Sequence, residues 1–189
     1  MSKLIIIRHS ETKQQPDTTS HEWRLTERGR ERCEKLAEQL KPYDISRIIT
    51  SEEHKAMLTG QLTADVLNIP CESTPDLGET KRDTAPYFDS VDDFRAAIRN
   101  GMENPNELVF GEERFADART RFSNRIDTLI KQYPNQTIAI FTHGTVMSLY
   151  LADVTGRDIY EFWTSLGMPA YVALNLPDKT LEKFVQEVT

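Results

Sequence analysis

The chain is poor in the features that mark metal scaffolds, secreted miniproteins and membrane spans. It has two cysteines, Cys33 and Cys71. Neither stands in a Cys-Xaa-Xaa-Cys pair, which removes zinc ribbons and dithiol redox centres from consideration. Both are expected to be reduced, as in a cytosolic protein. Long apolar runs are missing too. The first, Leu4 to Ile7, is strand-sized, too short for a signal-peptide core or a membrane helix, and the other runs are strand-sized too. Cationic excess is also lacking: the net charge of −7 opposes nonspecific binding to nucleic acid or anionic membrane. There are no internal repeats, linkers or low-complexity tracts. A cytoplasmic protein follows as the expectation, with neither nucleic-acid nor membrane partners.

What is present is the composition of one globular domain. The 189 residues, 38% hydrophobic and 28% charged, can build one sizeable core. Lys3-Leu-Ile-Ile-Ile7, Ser46-Arg-Ile-Ile-Thr50 and Thr137-Ile-Ala-Ile-Phe-Thr142 are short β-branched runs that read as strands buried on both faces. Between them lie helical patterns. One, over about 26–40, has Thr26 as its cap and Cys33, Leu36, Ala37 and Leu40 as its stripe. A second, over about 53–67, carries Ala56, Gly60, Thr63 and Leu67 on one face, with Gly60 allowing close approach to a sheet. A third, over about 112–131, shows Phe115, Ala118, Phe122, Ile126 and Leu129. A fourth starts at once after His143-Gly144, with Val146, Met147, Tyr150 and Val154 inward. A short helix near 158–165 and strands near 170–175 and 180–186 end the chain.

Residues 10–24 read as a loop. Over 68–110 the pattern weakens. Cys71 to Thr74 suggests a short strand, Pro75, Gly78 and Pro86 punctuate a loop, and Val91, Phe94, Ala97 and Ile98 suggest a short amphipathic helix. About 76–110 is expected to be an insertion covering the site within a single 1–189 domain. The whole is an α/β protein, a three-layer α/β/α sandwich around a mostly parallel sheet.

In such sheets ligands bind beyond the carboxyl ends of the strands. That rim collects Arg8-His9, Thr50-Ser51 and His143-Gly144. Either histidine alone would be an ordinary polar strand end. Two imidazoles, an arginine and helix N-termini together suit a tetrahedral oxyanion, because guanidinium matches phosphate oxygens and a neutral imidazole nitrogen can attack phosphorus. His21 and His54 sit in polar surroundings and read as surface residues.

Leu4-Ile-Ile-Ile-Arg-His-Ser-Glu-Thr12 resembles the Arg-His-Gly motif that opens the histidine phosphatase superfamily, which includes the cofactor-dependent phosphoglycerate mutases. In the same order, Trp23-Arg-Leu-Thr-Glu-Arg-Gly29 resembles its Leu-Thr-Xaa-Xaa-Gly helix start. Ser51 to Thr59 is similar to its Ser-Pro-Leu-Xaa-Arg-Ala-Xaa-Gln-Thr segment, and Asp76-Leu-Gly-Glu79 to the stretch with the proton donor. Gly111-Glu112-Glu113 resembles its Gly-Glu-Ser, and Phe141-Thr-His-Gly144 its second histidine motif. The resemblance implies the phosphoglycerate mutase-like fold and, site by site, His9 as phosphoryl acceptor, Arg8 and His143 on the equatorial oxygens, and Glu79 as proton donor and then base.

Three departures stand out. Ser10 replaces the glycine after the histidine, costing roughly 1 kcal/mol if that position needs positive φ, or else offering a hydroxyl to the phosphate. Glu52 and Glu53 replace proline and leucine. Lys55 stands where the second arginine falls, either holding phosphate without the bidentate fork or lying solvated on its helix. A cation there opposes the helix dipole, which suggests a purpose.

The reading is a phosphomonoester phosphatase working through phosphohistidine, with no cofactor and no metal, since no His/Cys/Asp/Glu group has ligand spacing. A mutase is the second enzyme reading, though the family's mutases are longer. A non-catalytic binder of phosphorylated ligands is a third, motivated by Ser10 and Lys55. Arg82 and Arg114 are cations available to an acidic substrate or simply surface residues. The particular substrate and the oligomeric state are not encoded legibly.

Overall fold

A computed structural model describes residues 2–13, 18–85 and 88–189. Pro86 and part of the 10–24 loop lie outside these residues. The six-stranded sheet has the order β5-β4-β6-β1-β7-β8. Strand β1 (Lys3–Arg8) runs parallel to β6 (Ile138–Thr142), which is parallel to β4 (Arg47–Thr50), itself parallel to β5 (Cys71–Ser73). On the other side of β1, β7 (Ala170–Asn175) and β8 (Thr180–Val185) pair antiparallel.

Period-two alternation explains the three layers. Leu4 and Ile6 face a core built with the apolar stripe of α4 (Phe115–Gln132) and with α5 (Gly144–Thr155) and α6 (Ile159–Ser165). Ile5 and Ile7 face Leu36 and Leu40 of α1 (Glu27–Leu40) and Ala64 of α2 (His54–Leu67). The interiors of the central strands are therefore apolar at every position, as their sequence indicates. Thr26 caps α1, its Oγ1 accepting from the Gly29 amide at 2.9 Å. Gly60 is needed: a Cβ there would stand 2.4 Å from Thr50 Cγ2, so any larger residue pushes α2 off the sheet.

Several boundaries differ from the sequence reading. The 10–24 stretch includes a two-stranded ribbon of β2 (Thr12–Lys13) and β3 (Arg24–Leu25), and a 3-10 turn at Ser20–Glu22. Helix α4 begins at Phe115, because Glu112 and Glu113 are engaged elsewhere. Helix α3 (Val91–Glu103) is longer than its pattern suggested, and its Ile98, Gly101 and Met102 are buried. Both cysteines are free. Burial pushes the Cys33 thiol up to about 12.

Candidate active site

The parallel register aligns strand ends. Arg8 pairs with Thr142, and Thr50 with Phe141. The His9 amide donates to the Thr142 carbonyl and the Ser51 amide to the Phe141 carbonyl, each at 2.9 Å. His9, Ser51 and His143 thus leave the sheet side by side, as the sequence reading placed them. The His9 and His143 ring centroids are 5.3 Å apart.

The His9 ring is held in one tautomer. Its Nδ1 lies 2.8 Å from the Ser10 carbonyl, which accepts, so Nδ1 carries the proton and Nε2 keeps its lone pair. Burial, then the charges of Lys55, His143 and Arg8, hold its pKa well below the ordinary value, so it is neutral at pH 7. His143 is similar, lowered to about 4 by burial against the opposing pull of Glu53. Its Nε2 meets Ser51 Oγ at 2.8 Å, and that oxygen also accepts from the Glu53 amide. Its Nδ1 is a buried atom without a hydrogen-bond partner among the described residues.

Two guanidinium donors share that condition. Arg8 Nη1 donates to the Leu166 carbonyl at 2.5 Å, but Arg8 Nε has no partner, and neither does Arg82 Nη1. Arg8 and Arg82 both line a cavity of about 650 Å³ that also reaches His9, Lys55 and Glu79. Burial lowers Arg8 only to about 10, so it stays cationic at pH 7. Gly144 gives the Arg8 guanidinium its place, since a Cβ there would come within 3.1 Å of Nε. Unpaired buried donors around a lone-pair nitrogen form a site prepared for an oxyanion.

Glu79 is brought to the same cavity, but its carboxylate occupies the first turn of α5. Oε2 accepts from the Thr145 amide at 2.9 Å, and Oε1 from Val146 at 3.1 Å and Thr80 at 3.0 Å. Burial alone would raise its pKa. Arg82, His143 and those amides outweigh burial and bring it below the usual carboxylate value. The helix N-terminus that the sequence reading offered to phosphate is therefore taken up by Glu79.

Ser10 is kept away from the cavity. Its φ is not positive, its Oγ donates to the Gly29 carbonyl at 2.7 Å, and its amide donates to Thr59 Oγ1 at 3.0 Å. The hydroxyl ties β1 to α1, and the expected strain does not arise. Lys55 is 2% exposed, so the solvated-helix reading fails. Its Nζ lies 3.0 Å from Glu53 Oε2 and donates to the Ser20 carbonyl at 2.8 Å, within 5.6 Å of the Trp23 ring. Arg114 is a surface residue paired with Asp117 at 2.6 Å. His54 is exposed, as read. His21 is a correction: it bridges Glu53 at 3.3 Å and Asp83 at 2.9 Å, and the Glu53 hydrogen bond raises its pKa.

Two residues central to this arrangement went unread. Glu53 is 6% exposed and touches everything around it. Its Oε1 accepts from the Glu79 amide at 2.7 Å and lies 3.3 Å from His143 Nε2, while Oε2 faces Lys55 and His21. The sequence signal was its replacement of a leucine two residues before Lys55. Arg121, on α4, clamps the Glu79 loop. It pairs with Glu113 at 2.9 Å and donates to the carbonyls of Asp76, Gly78 and Glu79 at 2.9, 3.2 and 3.1 Å. Glu112 accepts from the Asp83 and Thr84 amides, and Gly111, at φ +78°, passes so close to Lys81 that a Cβ would meet its carbonyl at 2.4 Å. Among the described residues no three His, Cys, Asp or Glu side chains group so as to hold a metal ion.

Residues 4–180 match the sequence profile of the histidine phosphatase superfamily, branch 1. The chain belongs to this superfamily. It is a phosphatase by that membership, with the phosphoglycerate mutase-like three-layer fold. Phosphoserine phosphatase 1 of Hydrogenobacter thermophilus is 23% identical over 171 residues, covering 87% of this chain and 81% of that protein. Among solved structures, YhfR of Bacillus stearothermophilus superposes with a TM-score of 0.77 at 21% identity, over 98% of this chain and 96% of its own. A mycobacterial glucosyl-3-phosphoglycerate phosphatase gives 0.74 at 16% identity, over 99% and 97%. At these identities the structural likenesses speak for the fold. No helix of the described residues is long and apolar enough to cross a membrane.

Proposed function

We propose that this histidine phosphatase hydrolyses small phosphomonoesters through a phosphohistidine on His9 Nε2, without a metal ion. The observation that carries the reading is the neutral His9, with Nδ1 tied to the Ser10 carbonyl, standing among the unpaired donors of Arg8 and Arg82 and the unpartnered Nδ1 of His143. The Nε2 lone pair forms the P–N bond as the P–O bond to the alcohol breaks. Arg8 Nε and His143 Nδ1–H take oxygens of the phosphoryl group, and Lys55 adds positive charge behind them. The leaving oxygen takes its proton from Glu79. Glu79 is ionised in the empty site, so that proton comes with the substrate: a docked phosphoryl group raises the carboxylate's proton affinity, and a monoanionic ester brings a proton with it. Glu79 then removes a proton from water, whose oxygen attacks phosphorus and breaks the P–N bond. Arg8, Lys55 and Arg82 supply the cationic field that a metal supplies elsewhere.

Rapid quench with labelled substrate tests this. Acid-labile, alkali-stable label on His9 is expected, with no label in His9→Ala and full activity after exhaustive chelation. Label on another residue, or undiminished turnover by His9→Ala, overturns the mechanism. Loss of activity on chelation, restored by a divalent ion, overturns metal independence.

A further inference from the structure

The apolar stripe of α3 runs past the core it serves. Ile98, Gly101 and Met102 are buried, and the Cβ position of Gly101 lies 2.7 Å from the Phe115 ring, so the helix is seated tightly there. One and two turns earlier, Phe94 and Val91 continue the same face but line the cavity, and Val91 is 65% exposed. Phe94 stands in a series of rings. It is 5.7 Å from Phe88 and 5.9 Å from Trp163, and Phe88 is 6.1 Å from Phe110, all tilted or edge-on. Trp23 lines the same cavity beside Lys55. Partly exposed aromatic rings around an opening that leads to His9 are a ligand surface, not a solvated one.

We infer that this wall is the leaving-group subsite and that it selects phosphomonoesters whose alcohol carries an aromatic ring. The inference rests on the phosphatase reading above and names its substrate class. The cavity volume, about 650 Å³, is in the range of about 300–1,000 Å³ that encloses drug-sized ligands, far more than an amino-acid phosphate fills. Tilted and edge-on rings are the arrangement that another ring extends favourably. Arg82 joins the two parts of the site. Its guanidinium lies 5.0 Å from the Phe94 ring centroid, while its unpaired Nη1 is available to an oxygen of the ester. A zwitterionic alcohol such as that of phosphoserine fits poorly. The acids lining the cavity are Glu79 and Asp83, and both are engaged, with the α5 amides and with His21 respectively. An ammonium group would be stripped of water against apolar rings.

The test uses esters with alcohols of similar basicity, so that chemistry does not mask recognition: 2-phenylethyl phosphate against ethyl phosphate, with phosphoserine beside them. The phenyl ester is expected to show kcat/KM at least tenfold above both. Trp163→Ala and Phe88→Ala, on different elements, should each bring that ratio below threefold. Calorimetry with 2-phenylethylphosphonate and ethylphosphonate reads the same preference without turnover. Ratios below threefold in the parent protein, with all esters hydrolysed, overturn the subsite while the phosphatase reading stands. Tighter binding of the phenylphosphonate with no ester hydrolysed keeps the ring subsite and overturns the phosphatase reading.

Discussion

Lys55 and Glu53 are two residues apart and act as one unit. Removing either strands the other inside the protein. Lys55→Ala leaves the buried Glu53 carboxylate with the half-exposed His21 as its remaining cationic partner. This should destabilise the fold by about 3–5 kcal/mol, the usual cost of leaving one member of a buried pair. Glu53→Leu with Lys55→Met should be much less destabilised than the two single changes sum to. Activity should not follow stability: the double variant lacks a cation behind the phosphoryl group and should remain at least tenfold down in kcat/KM. Urea titrations and kcat/KM across this cycle decide it, and additive stabilities would show that the pair does not act as a unit. Apart from standing where the family has a leucine, Glu53 carries no local mark of burial. It lies in the run Ser51-Glu52-Glu53-His54, and its neighbours Glu52 and His54 are in fact exposed. Burial came from the Glu79 loop folding over it, a contact 26 residues away in sequence. The Arg8, His9 and His143 positions were readable because they depend only on where a strand stops.

At the level of elements, the catalytic strands and their helices were legible because period-two and period-3.6 patterns are local. The 76–114 segment was not, because its shape is set by side chains far along the chain. Arg121 is the main one. Its guanidinium holds three carbonyls of the loop that presents Glu79, and Glu113 fixes the guanidinium in turn. Arg121→Lys keeps the charge but cannot span these acceptors. The expected result is a kcat at least tenfold lower for alkyl phosphates. The loss should be smaller for nitrophenyl phosphate, whose departing oxygen needs less protonation. KM should change less than kcat, because Arg8 and His143 are untouched. Equal losses on both substrates would mean that Arg121 serves the fold and not the placement of Glu79. The mixed sheet belongs to this scale as well: β7 and β8 were readable as strands, whereas their antiparallel direction depended on how the chain returns from α6.

Over the whole molecule, the buried site ties stability to pH. His143 titrates at about 4 and His9 well below 6.5, so between pH 6.5 and those values the unfolded chain binds more protons than the folded one. Stability therefore falls on acidification, by up to about 1.4 kcal/mol per pH unit for each histidine. Glu53 and Glu79, both lowered, act in the same direction further down. His21, raised, acts oppositely: its contribution is present below 6.5 and is lost as pH rises through its folded value, weakened by its exposure. The net expectation between pH 7.5 and 5.5 is a loss of roughly 2 kcal/mol, visible as a lower urea midpoint. His143→Asn should flatten the curve, and a parent protein indifferent to pH over this range would mean that the histidines are not neutral when folded.

The near-neutrality of the empty site has a thermodynamic consequence. Arg8 and Lys55 are offset by Glu53 and Glu79, and Arg82 at the cavity edge by Asp83, which His21 bridges to Glu53. A tetrahedral dianion brings two negative charges to that balance, beside an imidazole that already has Glu53 at 3.3 Å. The complex relieves this by drawing a proton onto the groups that face the anion, Glu79 and His143. Ligation and protonation are thus linked reactions. Tungstate, dianionic at pH 7, should bind with uptake of close to one proton, so its apparent binding heat should vary linearly with the ionisation heat of the buffer. Its affinity should weaken by nearly tenfold for each pH unit above neutrality, and heats identical in phosphate-free Tris and Hepes would show that the anion enters alone.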